Sequence, residues 1–185
     1  MLKDILKETS TKMDKTIESL KNELHKIRAG KATTSLLDTV RVDYYGSMTP
    51  LNKVANVSVQ DAHMLTVQPY DRGTLGLIEK AILAADLGFN PANDGTVIRV
   101  PIPQLTEERR RDLVKLVKKF GEEAKVALRN IRRDANESLK KAEKNDHASE
   151  DERKKAEKQV QDATDKHISD IENILKEKEK DIMAV

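Results

Sequence analysis

All five prolines of this chain fall between residues 31 and 104: Pro50, Pro69, Pro91, Pro101 and Pro103. Proline lacks a backbone donor and its ring clashes with the preceding helical turn. A proline-free stretch can therefore be one unbroken helix, and a proline-rich stretch cannot. Five of the seven glycines (Gly46, Gly73, Gly76, Gly88 and Gly95) share the same window. So do four of the aromatic residues: Tyr44, Tyr45, Tyr70 and Phe89. The chain thus divides into two flanks able to form long helices and a middle of another kind.

The first flank places Leu2, Leu6, Met13, Ile17, Leu20, Leu24 and Ile27 at spacings of three, four and seven, one helical stripe. This helix is predicted to stop near Gly30. The second flank opens at Leu105-Thr106-Glu107-Glu108, with Thr106 the expected N-cap and two acids in the first turn. Its stripe runs through Leu113, Leu116, Val117, Phe120, Ala124, Ala127, Leu128, Ile131, Ala135, Leu139 and Ala142. A helix from about 106 to 144 would be roughly 58 Å long. Asn145-Asp146-His147-Ala148 interrupts the pattern, and Ser149 with Glu152 reads as a capping box. A third stripe follows: Ala156, Val160, Ala163, Ile168, Ile171, Ile174, Leu175 and Ile182. Such narrow seams have nothing to bury against singly, whereas three together form an antiparallel-type bundle. One helix precedes the middle and two follow it, so the middle is an insertion. The expected domains are a discontinuous bundle, 1–30 and 105–185, and an inserted domain, 31–104.

Within the insertion, Val40, Val42 and Tyr44 alternate with Arg41, Asp43 and Tyr45, a strand that ends at Gly46-Ser47. Residues 54–59, 64–68 and 96–102 are further β-rich runs, and Asn93-Asp94-Gly95 marks a turn. Leu75, Ile78, Ala81, Ile82 and Ala85 give one helix between Thr74 and Leu87. The fold class is α+β: a long three-helix bundle carrying a small β-rich domain with one helix.

Charge excludes several functions. Of 185 residues 36% are charged, yet the net charge is +2, against the large one-signed charge of a disordered polyelectrolyte. No run approaches the ~18 apolar residues of a membrane span. The start, MLKDILKE, has no apolar signal-peptide core, so a soluble cytoplasmic protein is expected. Zero cysteines exclude disulfides, thiolate zinc sites and a cysteine nucleophile. His25, His63, His147 and His167 have no metal-ligand spacing, and His167 lies near the third seam, where a packed or partly exposed histidine is expected. Gly73-Thr74-Leu75-Gly76 matches a GXXG backbone clamp in form but lacks an internal basic residue, and reads as the start of the middle helix. No residue set supports an enzyme, a metal or a cofactor.

The neutral total hides a partition. Residues 109–133 hold ten Lys/Arg against three acids, and residues 134–185 hold eleven against fifteen. Arg111, Lys115, Lys118, Lys125, Arg129, Arg132 and Arg133 recur mostly at helical spacings. For Lys115 and Lys118 the expectation is a solvated face paired with acids of neighbouring helices. Arg129, Arg132 and Arg133 differ, being all arginine within about one turn. The guanidinium fork suits phosphate oxygens. With no aromatic neighbours, this cluster fits backbone recognition of folded RNA better than stacking on single strands. Spacing alone leaves both readings open, a paired face or an RNA footprint.

Longer segments carry a resemblance. Ile27-Arg28-Ala29-Gly30-Lys31-Ala32 with Ser35-Leu36-Leu37, Pro69-Tyr70-Asp71, Ile78-Glu79-Lys80-Ala81-Ile82 and Leu87-Gly88-Phe89-Asn90-Pro91 resemble the bacterial ribosome recycling factor family. So do Leu105-Thr106-Glu107-Glu108-Arg109-Arg110, Arg129-Asn130-Ile131-Arg132-Arg133-Asp134-Ala135 and the ending Lys178-Glu179-Lys180-Asp181-Ile182-Met183. The resemblance spans the whole chain. It implies an L-shaped, tRNA-sized monomer: a bundle and a small β/α/β domain. It implies binding between the subunits of the post-termination ribosome, on large-subunit ribosomal RNA near the peptidyl-transferase region. Elongation factor G with GTP then drives dissociation into subunits, and the factor itself has no catalytic residues. The implied RNA contacts are Arg28, Arg110, Arg129, Arg132 and Arg133. The implied hinge is Gly30, Lys31, Ala32, Thr33 and Thr34 with Pro103, Gln104 and Leu105. Lys31 stands where the family commonly has Arg, and Thr34 where it often has Pro. The competing reading of a charged bundle with a small β domain is an adaptor or co-chaperone that binds a protein partner.

Overall fold

The computed structural model describes residues 2–146 and 148–184. The chain divides into two compact units, residues 1–29 with 107–185, and residues 30–106.

The first unit is built from α1 (Leu2–His25), α4 (Glu107–Asp146) and α5 (Glu150–Met183), numbered in chain order. The three helices pack on one another. Leu2, Ile5 and Leu6 at the start of α1 meet Ala135 and Leu139 of α4 and Ala156 and Val160 of α5. At the other end of α1, the Ile27 carbonyl accepts a hydrogen bond from Lys178 Nζ at 2.9 Å. So α4 runs antiparallel to α1 and α5, and a short α4–α5 connection suffices. Met13, Leu20 and Leu24, Leu113, Val117, Leu128 and Leu139, and Val160, Ile171, Leu175 and Ile182 form the buried seam.

Two details depart from the expected seam. The helix α1 ends at His25 rather than near Gly30, and the Ile27 N–H closes a last turn onto the Leu24 carbonyl at 3.1 Å. Polar residues also enter the seam, Thr9, Thr164 and His167 being buried. The threonines satisfy themselves locally: Thr9 Oγ1 donates to Ile5 O at 2.7 Å and Thr164 Oγ1 to Val160 O at 2.7 Å. The packed place expected for His167 holds, with its ring nitrogens 2.6 Å from Ala163 O and 2.8 Å from Asp14 Oδ1. His147, in the interruption between the last two helices, lies outside the described residues. Beyond it the capping box is formed in both directions between Ser149 and Glu152. Gly121 is the one glycine inside α4, and a Cβ there would lie 2.2 Å from Leu175 Cδ1. Its missing side chain lets α5 approach.

The second unit has β1 (Arg41–Tyr44), β2 (Ser47–Pro50), α2 (Leu51–Val54), β3 (Ala55–Asp61), β4 (Met64–Pro69), α3 (Leu75–Ala84), β5 (Ala92–Asn93) and β6 (Ile98–Pro101). The hairpin β1–β2 stands apart from an antiparallel sheet ordered β3-β4-β6-β5. Tyr45 and Gly46 both have positive φ, 51° and 85°, as a two-residue hairpin turn of the right twist requires. Val40, Val42, Leu65, Val67, Ile78, Ile82, Ile98 and Val100 fill the core. The single expected helix is α3, which Gly73-Thr74-Leu75-Gly76 opens as read from sequence. A second short helix, α2, and the strands β2 and β5 were not expected. They have four, four and two residues, too short for any periodicity to register.

Candidate nucleic-acid interface

The helix α4 carries the basic stripe that the sequence singles out. Its 40 residues make a rod about 60 Å long. At about 100° per residue, Arg111, Lys115, Lys118, Lys125, Arg129, Arg132 and Arg133 fall within roughly 100° of arc beside the buried seam. They therefore line one side of the helix, at its boundary with α5.

Within that stripe the charges have different fates. Arg111 pairs with Glu107 one turn away. Lys125 is nearly covered and lies 3.5 Å from both Glu122 and Glu172, bridging α4 to α5. Lys115 and Lys118 depart from expectation, since neither forms an ion pair among the described residues. They are exposed and available to an external anion.

The arginine cluster is graded as well. Arg129 is exposed and has no hydrogen-bond or ion-pair partner among the described residues. Arg133 is exposed and donates to Asn130 Oδ1. Arg132 is half-buried: its Nη1 donates to Gln161 Oε1 at 3.0 Å, and Gln161 Nε2 donates to Asp165 Oδ1 at 2.9 Å. Those two α5 residues hold the guanidinium beside its neighbours. Sequence reading did not find them, because no local pattern reveals a partner 29 residues away.

The other two arginines named by the resemblance lie elsewhere. Arg110 precedes Arg129 by roughly 28 Å of helix rise. It is half-buried, and its Nε is buried without an acceptor among the described residues. Arg28 is exposed just after α1, at the same end of the bundle as the start of α4. There the Lys178 ammonium, held below the usual lysine range chiefly by burial, caps the Ile27 carbonyl. The bundle thus has two basic places, the mid-helix cluster and this end.

The expected hinge residues also divide. Ala32 is buried in the small unit's core, and its N–H bonds Ala62 O at 2.8 Å. Thr34 opens a 3₁₀ turn, Thr34–Leu37, and Ile102 N–H bonds His63 O at 2.8 Å. Gly30, at φ +74°, lies against Leu105, whose Cγ would be 3.0 Å from any added Cβ.

The family model described as ribosome recycling factor matches residues 20–183. The chain belongs to the ribosome recycling factor family. It is 55% identical over 185 residues to the ribosome-recycling factor of Geobacillus thermodenitrificans, with all of both chains covered. The ribosome-recycling factor of Bacillus subtilis is 54% identical over the same length, again with both chains fully covered. A solution structure of a ribosome recycling factor superposes with a TM-score of 0.75 at 43% identity, covering 100% of this chain and 98% of that one. A structure describing the T. thermophilus ribosome recycling factor and E. coli elongation factor G bound to the E. coli post-termination complex gives 0.62 at 44% identity, with full coverage of both chains. The α+β architecture of bundle and inserted β domain is that of the family. Among the described residues, no helix is long and apolar enough to cross a membrane.

Proposed function

We propose that this chain recycles ribosomes after termination. It binds the post-termination ribosome between the subunits, with the basic side of α4 on large-subunit ribosomal RNA. With elongation factor G and GTP it promotes dissociation into subunits. The observation that carries this is Arg129, exposed and without a partner among the described residues, within an arginine cluster that α5 braces through Gln161. A guanidinium so placed has its full hydrogen-bonding capacity left for phosphate. It rests on a chain closely similar to a factor described together with elongation factor G on the post-termination complex.

The action is mechanical. The chain works as a cytoplasmic monomer without metal or cofactor, and elongation factor G supplies GTP hydrolysis. Arg28, Arg110, Arg132 and Arg133 join Arg129 as RNA contacts. Ala32 and Thr34 belong to the small unit's frame, so the pivot is narrower on the first crossing, at Gly30 and Lys31, and stays at Pro103 to Leu105 on the second. Proline fixes φ on the second strand, and glycine supplies the left-handed conformation on the first.

The test is a splitting assay. Light scattering from post-termination ribosomes is followed after adding purified elongation factor G and GTP, with and without this protein. A fall in scattering that requires all three components is expected, and no difference on adding the protein would refute the reading.

A further inference from the structure

The small unit holds a polar cavity that the bundle's RNA face does not use. Its volume is about 540 Å³, within the span of ligand sites. Two backbone bonds shape it: Leu51 N–H to Val40 O at 3.2 Å, and Tyr70 N–H to Val54 O at 3.1 Å. They tie the two ends of the short helix α2 to the residue before β1 and to the residue after β4, beside the edge strand β3. The wall displays Arg41, Lys53, Asn52, Asn56, Tyr70 and Asp38. Arg41 and Lys53 are exposed, and neither forms an ion pair among the described residues. Tyr70 is 70% exposed, although its neighbours Pro69 and Val54 are buried.

We propose that this cavity is a nucleotide pocket for single-stranded RNA. The base stacks on Tyr70, the carboxamides of Asn52 and Asn56 meet its edge, and Arg41 and Lys53 take the phosphate. Each part alone has other uses, but together they match the three faces of a nucleotide. An exposed aromatic ring is a stacking platform. A carboxamide offers both donors and an acceptor, as base edges demand. Unpaired cations hold the backbone. Asp38 offsets one of the two cations, leaving a net charge that suits one phosphodiester better than a polyphosphate or an acidic peptide. Unpaired, unstacked nucleotides are what such sites accept, in contrast to the folded RNA assigned to α4. The two sites are independent, so either stands if the other fails.

The test uses the full chain, isotope-labelled, in an NMR titration with short oligouridylate and oligoadenylate. Inorganic phosphate and an acidic peptide are separate arms. Amide signals of Arg41, Asn52, Lys53, Asn56 and Tyr70 are expected to shift with either oligonucleotide. Tyr70→Ala is expected to weaken binding about tenfold, the scale of one lost base stack, and Tyr70→Phe to restore it. Arg41→Gln and Lys53→Gln should each lower the salt dependence by about one phosphate contact. All three side chains are exposed, and an unchanged spectrum away from the pocket verifies folding. Equal affinity for inorganic phosphate, preference for the acidic peptide, or shifts confined to α4 would each overturn the proposal.

Discussion

Arg129 has no partner among the described residues, whereas Arg132 is held by Gln161. Their alanine variants should therefore differ in kind. Arg129→Ala should weaken ribosome binding by about 1–3 kcal/mol, the range for a lost charge-assisted contact, with melting unchanged. Arg132→Ala also strips Gln161 of its donor, so some stability is lost together with affinity. Paired binding and thermal melts check both, and an Arg129→Ala variant that binds normally removes the main RNA contact. Gly121 is a different kind of residue. A methyl group there would lie 2.2 Å from Leu175 Cδ1, so Gly121→Ala should destabilise by about 1–3 kcal/mol despite its better helix propensity. Combined with Leu175→Ala, itself destabilising, the two losses should be less than additive, and a double-mutant cycle in urea measures the coupling. The cluster itself was legible in sequence because its members share one turn. Its bracing was not, and neither was the reason for Gly121, because both depend on which part of α5 faces α4.

Among the elements, long helices were the most legible and short strands the least. Proline-free apolar stripes revealed α1, α4 and α5, and Ser149 with Glu152 located the start of α5 almost to the residue. The end of α1 was misplaced because the left-handed Gly30 serves the inter-unit crossing rather than a helix stop. Ser149→Ala should cost about 1 kcal/mol by removing the N-terminal cap of α5, visible as a lower melting temperature at unchanged ribosome affinity. Lys178 gives the same end of the bundle a pH signature. Burial lowers its pKa from 10.5, with Asp181 opposing. Between the folded and ordinary values the unfolded chain binds more protons, so stability rises with pH across that window. The parent should gain stability relative to Lys178→Met as the pH is raised towards 10.5, and parallel urea curves for the two proteins would contradict this.

For the whole molecule, the near-zero net charge takes on meaning only by segment. In the proposed reading the basic side of α4 attaches to RNA, and an acidic remainder limits attachment elsewhere. Affinity for ribosomes should then fall linearly in log affinity against log salt, and Lys115→Gln with Lys118→Gln should make that slope shallower. A protein partner in an apolar groove would give a flatter line that these substitutions leave alone. The hinge proposal asks more, because it separates binding from work. Gly30 adopts φ +74° and sits against Leu105, so Gly30→Val combines backbone strain with a clash at the first crossing. Both consequences fall where the chain passes between the units, away from the arginine cluster. The variant should bind ribosomes as the parent does but split them several-fold more slowly with elongation factor G and GTP, a loss of about 1 kcal/mol or more in the driven step. Leu105→Ala tests the two causes apart, since it relieves the clash and leaves the strained φ. Rescue of Gly30→Val by Leu105→Ala assigns the defect to packing at the crossing, and failure to rescue assigns it to the backbone. Splitting at the parental rate by Gly30→Val would show that the crossing does not need glycine's freedom, and the pivot would have to lie elsewhere.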